Sequence, residues 1–245
     1  MEKETAIKVH TFLTDYFAQS EDPISPPGVK DHGLLESALI RKDMTGGGKD
    51  IFEGVFNKAA ALFHGIISNH TFYNGNKRTA LMATLVYLGE HGYWLTKCDD
   101  EEMFEFTRKI AAHELTEQRE HEIQHIAEWL RTNSRRREIR DKRMSFLELK
   151  DSLSRFNFEI STVKSKNNCL DITKDGSFVT SIRHKGSNGA EDYDVKYIKG
   201  LRRRLQLTPE YGIDSMQFYG EKGVTATLNE HMKIRNQVMR WLAKI

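Results

Sequence analysis

The chain has 245 residues, 37 Lys and Arg against 35 Asp and Glu, and a formal net charge of +2. With 38% hydrophobic and 29% charged residues it reads as a soluble globular protein of one large domain or two ordinary ones, and no apolar run approaches the ~20 residues of a membrane span. MEKETAIKVHTFLTDYF lacks the pattern of a signal peptide, and Cys98 and Cys169 are too few for a disulfide framework, so a cytoplasmic protein with no membrane attachment is expected.

Phe12, Leu13, Tyr16 and Phe17 predict a helix near the start, ended by Asp22-Pro23 and Pro26-Pro27. A short helix over 34–40 follows. Apolar residues from Ile51 to Ile67 recur at helical spacing and predict a helix over 51–69. Leu81, Leu85 and Leu88 continue the pattern over 79–92, with Gly92 as a stop. Acidic Asp99 to Glu102 suits the positive end of a further helix through Met103, Phe106 and Ile110. The first half is therefore a helical bundle.

Charge then changes sign. Residues 1–133 hold 14 basic and 21 acidic residues, and 134–245 hold 23 and 14. The change occurs at Ser134-Arg135-Arg136-Arg137, and 134–144 reads as a basic linker, although a solvated basic helix would look the same. Beyond it the pattern predicts a smaller α+β domain over 145–245. Its elements are a helix over 145–156, three antiparallel strands near 158–164, 168–173 and 177–183, and helices over 193–206 and 228–244. Asp175-Gly176 marks the turn between the last two strands.

Between the two strongest helices lies His70-Thr71-Phe72-Tyr73-Asn74-Gly75-Asn76-Lys77-Arg78. A loop entering a helix N-terminus aims free N–H groups at an anion. Gly75 permits a tight turn. Lys77 and Arg78 are poor choices at a positive helix end unless a phosphate chain lies between them. His70 can take a proton near neutral pH. An ordinary helix cap with an exposed His and a solvated basic pair reads the same way.

This segment, His-x-Phe-x-x-Gly-Asn-Lys-Arg-Thr-Ala, resembles the signature of the Fic/Doc family, and its Lys form resembles the Doc (death-on-curing) branch. The flanking Gly33 to Leu39 and Ala59 to His70 agree with it, so the resemblance covers roughly 5–130. It implies a helical catalytic domain over 1–133 that transfers the γ-phosphate of ATP, with Mg²⁺, to a protein hydroxyl such as that of a translation elongation factor. A toxin–antitoxin system would supply an antitoxin partner. His70 would accept the hydroxyl proton, Gly75, Asn76, Lys77 and Arg78 would hold phosphate, and buried Phe72 would anchor the loop. Fic-type nucleotidyl transfer (AMPylation) is the alternative. Lys77, where nucleotidylating members usually carry Gly, and Leu81, where they usually carry a second Arg, favour the kinase. Asn74 stands where the family places a metal-binding acid and lacks its charge, so Mg²⁺ binding would be weak or compensated. A catalytically weakened Fic-fold binding module is therefore a third reading.

Other signals carry less. His121-Glu122-Ile123-Gln124-His125 spells H-E-x-x-H, but His121 and His125 fall opposite the apolar face, so a chance match on a surface helix is expected. Gly46-Gly47-Gly48-Lys49 lacks P-loop spacing and occupies the place of the family's target-positioning flap, or of a plain mobile loop. The span 145–207 weakly resembles HicA-type, double-stranded-RNA-binding-like domains, without their strand-two His near Asn167-Asn168-Cys169. Arg183, Lys185, Arg202, Arg203 and Arg204 could bind the backbone of RNA or DNA. Packing against the acidic half would equally explain their charge.

Overall fold

The apolar spacing of the first half folds into α1 (Lys3–Tyr16), α2 (His32–Ile40), α3 (Gly54–Ser68), α4 (Asn76–Glu90), α5 (Asp100–Ala112) and α6 (Glu122–Asn133) in a computed structural model that describes residues 1–161, 168–186, 190–221 and 230–242. α3 and α4 form the centre. Each is buried nearly all round, α3 from Ala59 to Ile67 and α4 at Thr79, Ala80 and from Met82 to Gly89, as expected of helices inside a core. Small residues let α2 pack closely on α3: a Cβ at Gly65 would lie 3.1 Å from the Ala38 carbonyl oxygen. Asp31 caps α2, and Asp99 with Glu102 forms a capping box on α5. The central pair places the end of α3 and the start of α4 on either side of the His70–Gly75 loop.

Two short sheets complete this unit. β1 (Thr45–Gly46) and β2 (Lys49–Asp50) form a hairpin where a flap or loop is expected. Its corner, Gly47-Gly48, has φ values of 58° and 79°, the positive pair that a tight two-residue hairpin requires. β3 (Tyr93–Leu95) pairs antiparallel with β4 (Ser134–Arg136). The expected linker 134–144 therefore begins as a strand. The charged run hides this because Ser134 turns inward while the Arg135 guanidinium lies 5.5 Å over the Trp94 ring and Arg136 faces solvent.

The last helix, α10 (Glu230–Leu242), corrects the expected boundary at 145–245. The chain forms one unit from Met1–Arg137 with Asn229–Ile245, and a second from Glu138–Leu228. The second unit is thus an insertion in the first. The sequence pattern predicts α10 as a helix of the second unit, but its apolar residues Ile234 and Val238, with Met239 and Leu242 beside them, pack into the first unit, against α1 and α4. Arg235 is buried with them, and a Cβ on Gly89 would fall within 1.6 Å of its guanidinium, so glycine makes the room. Divided at these boundaries, the first unit carries 21 basic and 22 acidic residues and the second 16 and 13. The apparent acidic and basic halves largely disappear.

The second unit is α+β. β5 (Phe158–Ile160), β6 (Cys169–Lys174) and β7 (Ser177–Arg183) form an antiparallel sheet in that order. Asp175 and Gly176, at φ 51° and 75°, make the predicted turn. Helices α7 (Phe146–Ser154), α8 (Val195–Arg204) and α9 (Ser215–Tyr219) supply Leu149, Leu153, Ile198, Leu201 and Phe218 to its core. Residues 162–164 of the first expected strand, Asn167, and both ends of the expected final helix lie outside the described residues.

Arg202 is not a surface cation. Only 4% exposed, it pairs with Asp141 at 2.5 Å, donates to the carbonyls of Leu207 and Ile213, and lies over the Phe218 ring. It neutralises a charge and ties loops together inside the unit. Arg183, Arg203 and Arg204 do face solvent, and Lys185 pairs with Asp194 at 3.3 Å. No described helix is long and apolar enough to cross a membrane.

Candidate active site

α3 ends at Ser68, and the chain turns at His70 with φ 46°, a left-handed conformation that is uncommon outside glycine. The loop then lies along residues 28–31. Val29 and Phe72 form an antiparallel bridge, Lys30 N–H donates to the Thr71 carbonyl at 2.9 Å, and Tyr73 N–H donates to that of Gly28 at 3.1 Å. These bonds fix the loop from outside.

Phe72 fixes it from inside. The side chain is 1% exposed and its ring stacks on that of buried His10, centroids 4.1 Å apart. His10 Nε2 accepts Gly28 N–H at 3.0 Å, which leaves Nδ1–H to donate to the Thr79 hydroxyl at 2.9 Å. One neutral ring therefore joins α1, the 28–31 segment, the loop and α4. No local pattern marks this role, because a lone histidine on an apolar helix face looks like any other core residue.

Burial lowers the His10 pKa from 6.5 to about 4. The unfolded chain binds a proton near 6.5 that the folded chain resists until about pH 4. His10 therefore favours folding above pH 6.5, and that contribution falls as pH drops from 6.5 towards 4, by roughly 3 kcal/mol in all. Denaturant midpoints measured across this range are expected to fall steeply, and less steeply in His10→Gln. Parallel profiles would mean that another group carries the acid sensitivity.

Gly75 starts α4 at φ 71°, and a Cβ there would lie 2.9 Å from Ile24 Cδ1. Both the backbone angle and the space demand glycine. The Asn76 carboxamide accepts Phe72 N–H and donates to the Phe72 carbonyl, both at 2.8 Å. Its first task is thus to clamp the loop, a role that differs from the phosphate contact expected of it.

His70, Asn74, Gly75, Asn76, Lys77 and Arg78 all line one cavity of about 590 Å³. Lys77 is exposed. Arg78 donates to the Asp22 carbonyl at 2.6 Å and its carboxylate at 3.1 Å, and lies over the Phe17 ring. Across the cavity stand Met103 and Phe104 of α5 and His231 of α10. Asp100 holds α10 there. Its carboxylate accepts the N–H groups of Glu230 and His231 at 2.7 and 3.0 Å and lies 2.5 Å from His231 Nδ1. Burial would raise the Asp100 pKa, but these donors outweigh it and hold the carboxyl below its ordinary value. Asp22, Asp100 and His231 are absent from the local motif, and only the fold brings them to it. Arg183, Lys185 and Arg202 to Arg204 belong to the other unit.

Asn74 is a poor metal ligand. Its side-chain oxygen accepts Gly75 N–H at 2.6 Å and its NH₂ donates to the Ser25 carbonyl at 2.8 Å. Both ends serve the turn, and the side chain has no charge to attract a hard cation. Asp22 and Asp100, the carboxylates lining the cavity, are paired with Arg78 and His231. The residues present do not make a resident Mg²⁺ site.

The His121–His125 motif divides as expected, with both histidines exposed. Glu122 between them turns inward and is 1% exposed.

Comparison with known proteins agrees with the loop. The Fic/DOC family model matches residues 1–88. A relative described as "Toxin Doc", from Mycolicibacterium smegmatis (strain ATCC 700084 / mc(2)155), is 40% identical over 67 residues, which cover 27% of this chain and 52% of that protein. The chain thus spans about half the length of the curated relative it matches.

Proposed function

From the premise that residues 1–88 carry the Fic/Doc pattern in its Doc form, we propose that this chain is a Doc-like toxin that transfers the γ-phosphate of ATP to a Ser or Thr hydroxyl of a protein, such as a translation elongation factor. The observation that carries the reading is the convergence of His70, Lys77, Arg78 and the N-terminus of α4 on one cavity. ATP would lay its phosphates on the α4 amides and the two cations, with its base toward the apolar wall at Met103 and exposed Phe104.

His70 takes the proton of the incoming hydroxyl as its oxygen attacks the γ-phosphorus in line, and ADP leaves. Lys77 and Arg78 neutralise charge on the transferring group. Arg78 first exchanges Asp22 for phosphate. That exchange costs little, since the Asp22 side chain is 88% exposed and its pairing is well solvated. Mg²⁺ arrives as the companion of ATP, and no step here depends on a protein-held metal. An antitoxin would silence the toxin. A nucleotidyltransferase is the second reading, and a weakened binding module is favoured only by the loss of charge at Asn74.

The test is induced expression in a bacterial host. Incorporation of labelled methionine is expected to collapse with the native chain and to persist with His70→Ala at equal protein level. Equal collapse in both would reject the toxin reading through this site.

A further inference from the structure

Away from the cavity, His64 of α3, His113 at the end of α5 and Glu122 at the start of α6 converge in the interior of the first unit. His64 Nε2 lies 2.9 Å from Glu122 Oε2. His113 Nδ1 lies 3.0 Å from both Glu122 oxygens. One ligand atom from each residue falls within 4.8 Å of the others. Helix α3 and the α5–α6 connection, about fifty residues further on, thus place two imidazoles and a carboxylate in one spot.

The arrangement has marks of a built site. Glu122 is 1% and His64 9% exposed, and the Ser68 hydroxyl lies 3.3 Å from His64 Nε2. His113 caps α5 in a left-handed conformation, φ 57°, which turns its ring back toward Glu122; such a conformation is uncommon for a residue other than glycine. The His113 side chain is 30% exposed, so the site has an open side toward solvent. Burial pushes His64 below its ordinary pKa against the opposing pull of Glu122.

From this geometry we infer that His64, His113 and Glu122 form a binding site for a divalent transition ion of the Zn²⁺ class. Two imidazole nitrogens and one carboxylate are a recurrent ligand set for such ions, with water in the remaining position. Bonds of about 2.0–2.1 Å place tetrahedral ligand pairs about 3.4 Å apart. The two His–Glu spacings, 2.9 and 3.0 Å, need to widen by a few tenths of an ångström, and the two histidines need to draw together. The ion would displace the shared protons and pin the ends of α5 and α6 to α3, the helix that leads into His70. Glu122 and the surface pair His121 and His125 share one short segment, so H-E-x-x-H marks the inferred metal site here by its glutamate rather than its histidines.

Titration of the metal-stripped full chain with Zn²⁺, in competition with a chromogenic chelator, tests this. One tight site is expected, with a raised melting temperature, and it should persist in His121→Ala/His125→Ala. His113→Ala and, separately, Glu122→Gln should each weaken it by roughly a hundredfold or more, beyond what loss of a mere supporting group costs. Co²⁺ should give visible d–d absorption that His113→Ala abolishes, with circular dichroism confirming that the variant is folded. Binding removed by His121→Ala/His125→Ala, or no tight site at all, would show that the three side chains are only a hydrogen-bonded cluster.

Discussion

His70→Ala is expected to lower phosphate transfer by a factor on the order of 10²–10⁴ while leaving the melting temperature almost unchanged. The range is that of a positioned general base. The small structural effect follows from exposure: His70 faces solvent. The loop is held instead by Phe72, Asn76 and the 28–31 segment. Initial rates under saturating ATP, with thermal unfolding of the same preparations, give the comparison. A His70→Ala protein that keeps more than about a tenth of the native rate would remove His70 from the base role.

Phe72→Ala should do the reverse, destabilising first and inactivating as a consequence. Truncating a fully buried Phe costs about 3–5 kcal/mol, and this one also removes the stacking partner of His10. For a unit of this size the melting temperature should fall by roughly 10 °C or more. Phe72→Leu, which keeps most of the volume, should lose much less and retain transfer. A stable, inactive Phe72→Ala would mean that the ring acts on substrate rather than beneath the loop.

The parts of the fold set by local pattern were legible. Helical spacing predicts the helices of the first unit to within a few residues, and Asp175-Gly176 predicts its hairpin, because those choices depend on neighbours in sequence. The candidate loop was legible for the same reason: glycine, the basic pair and the histidine lie within nine residues. What distant elements contribute was hidden. His10, Asp22, Asp100 and His231 reach the loop or its cavity from α1, the segment after it, α5 and α10, and no spacing rule links them. Sequence pattern identifies α10 as a helix but not which core receives it, and its position after the second unit's elements points to the wrong unit. Charge misled in the same way. The Arg135–Arg137 run suggests a linker, yet a strand tolerates arginines whose stems cover an aromatic ring. Arg202 suggests nucleic acid, yet it is a buried partner of Asp141.

The central claim is that this cavity moves the terminal phosphate of ATP under the control of His70. It is tested most directly by incubating the purified chain with bacterial extract and ATP labelled at either the α or the γ phosphate. The account predicts label on protein from γ-labelled ATP, none from α-labelled ATP, and neither with His70→Ala. Transfer from the α position would make the chain a nucleotidyltransferase, and transfer from γ that survives His70→Ala would place the chemistry elsewhere.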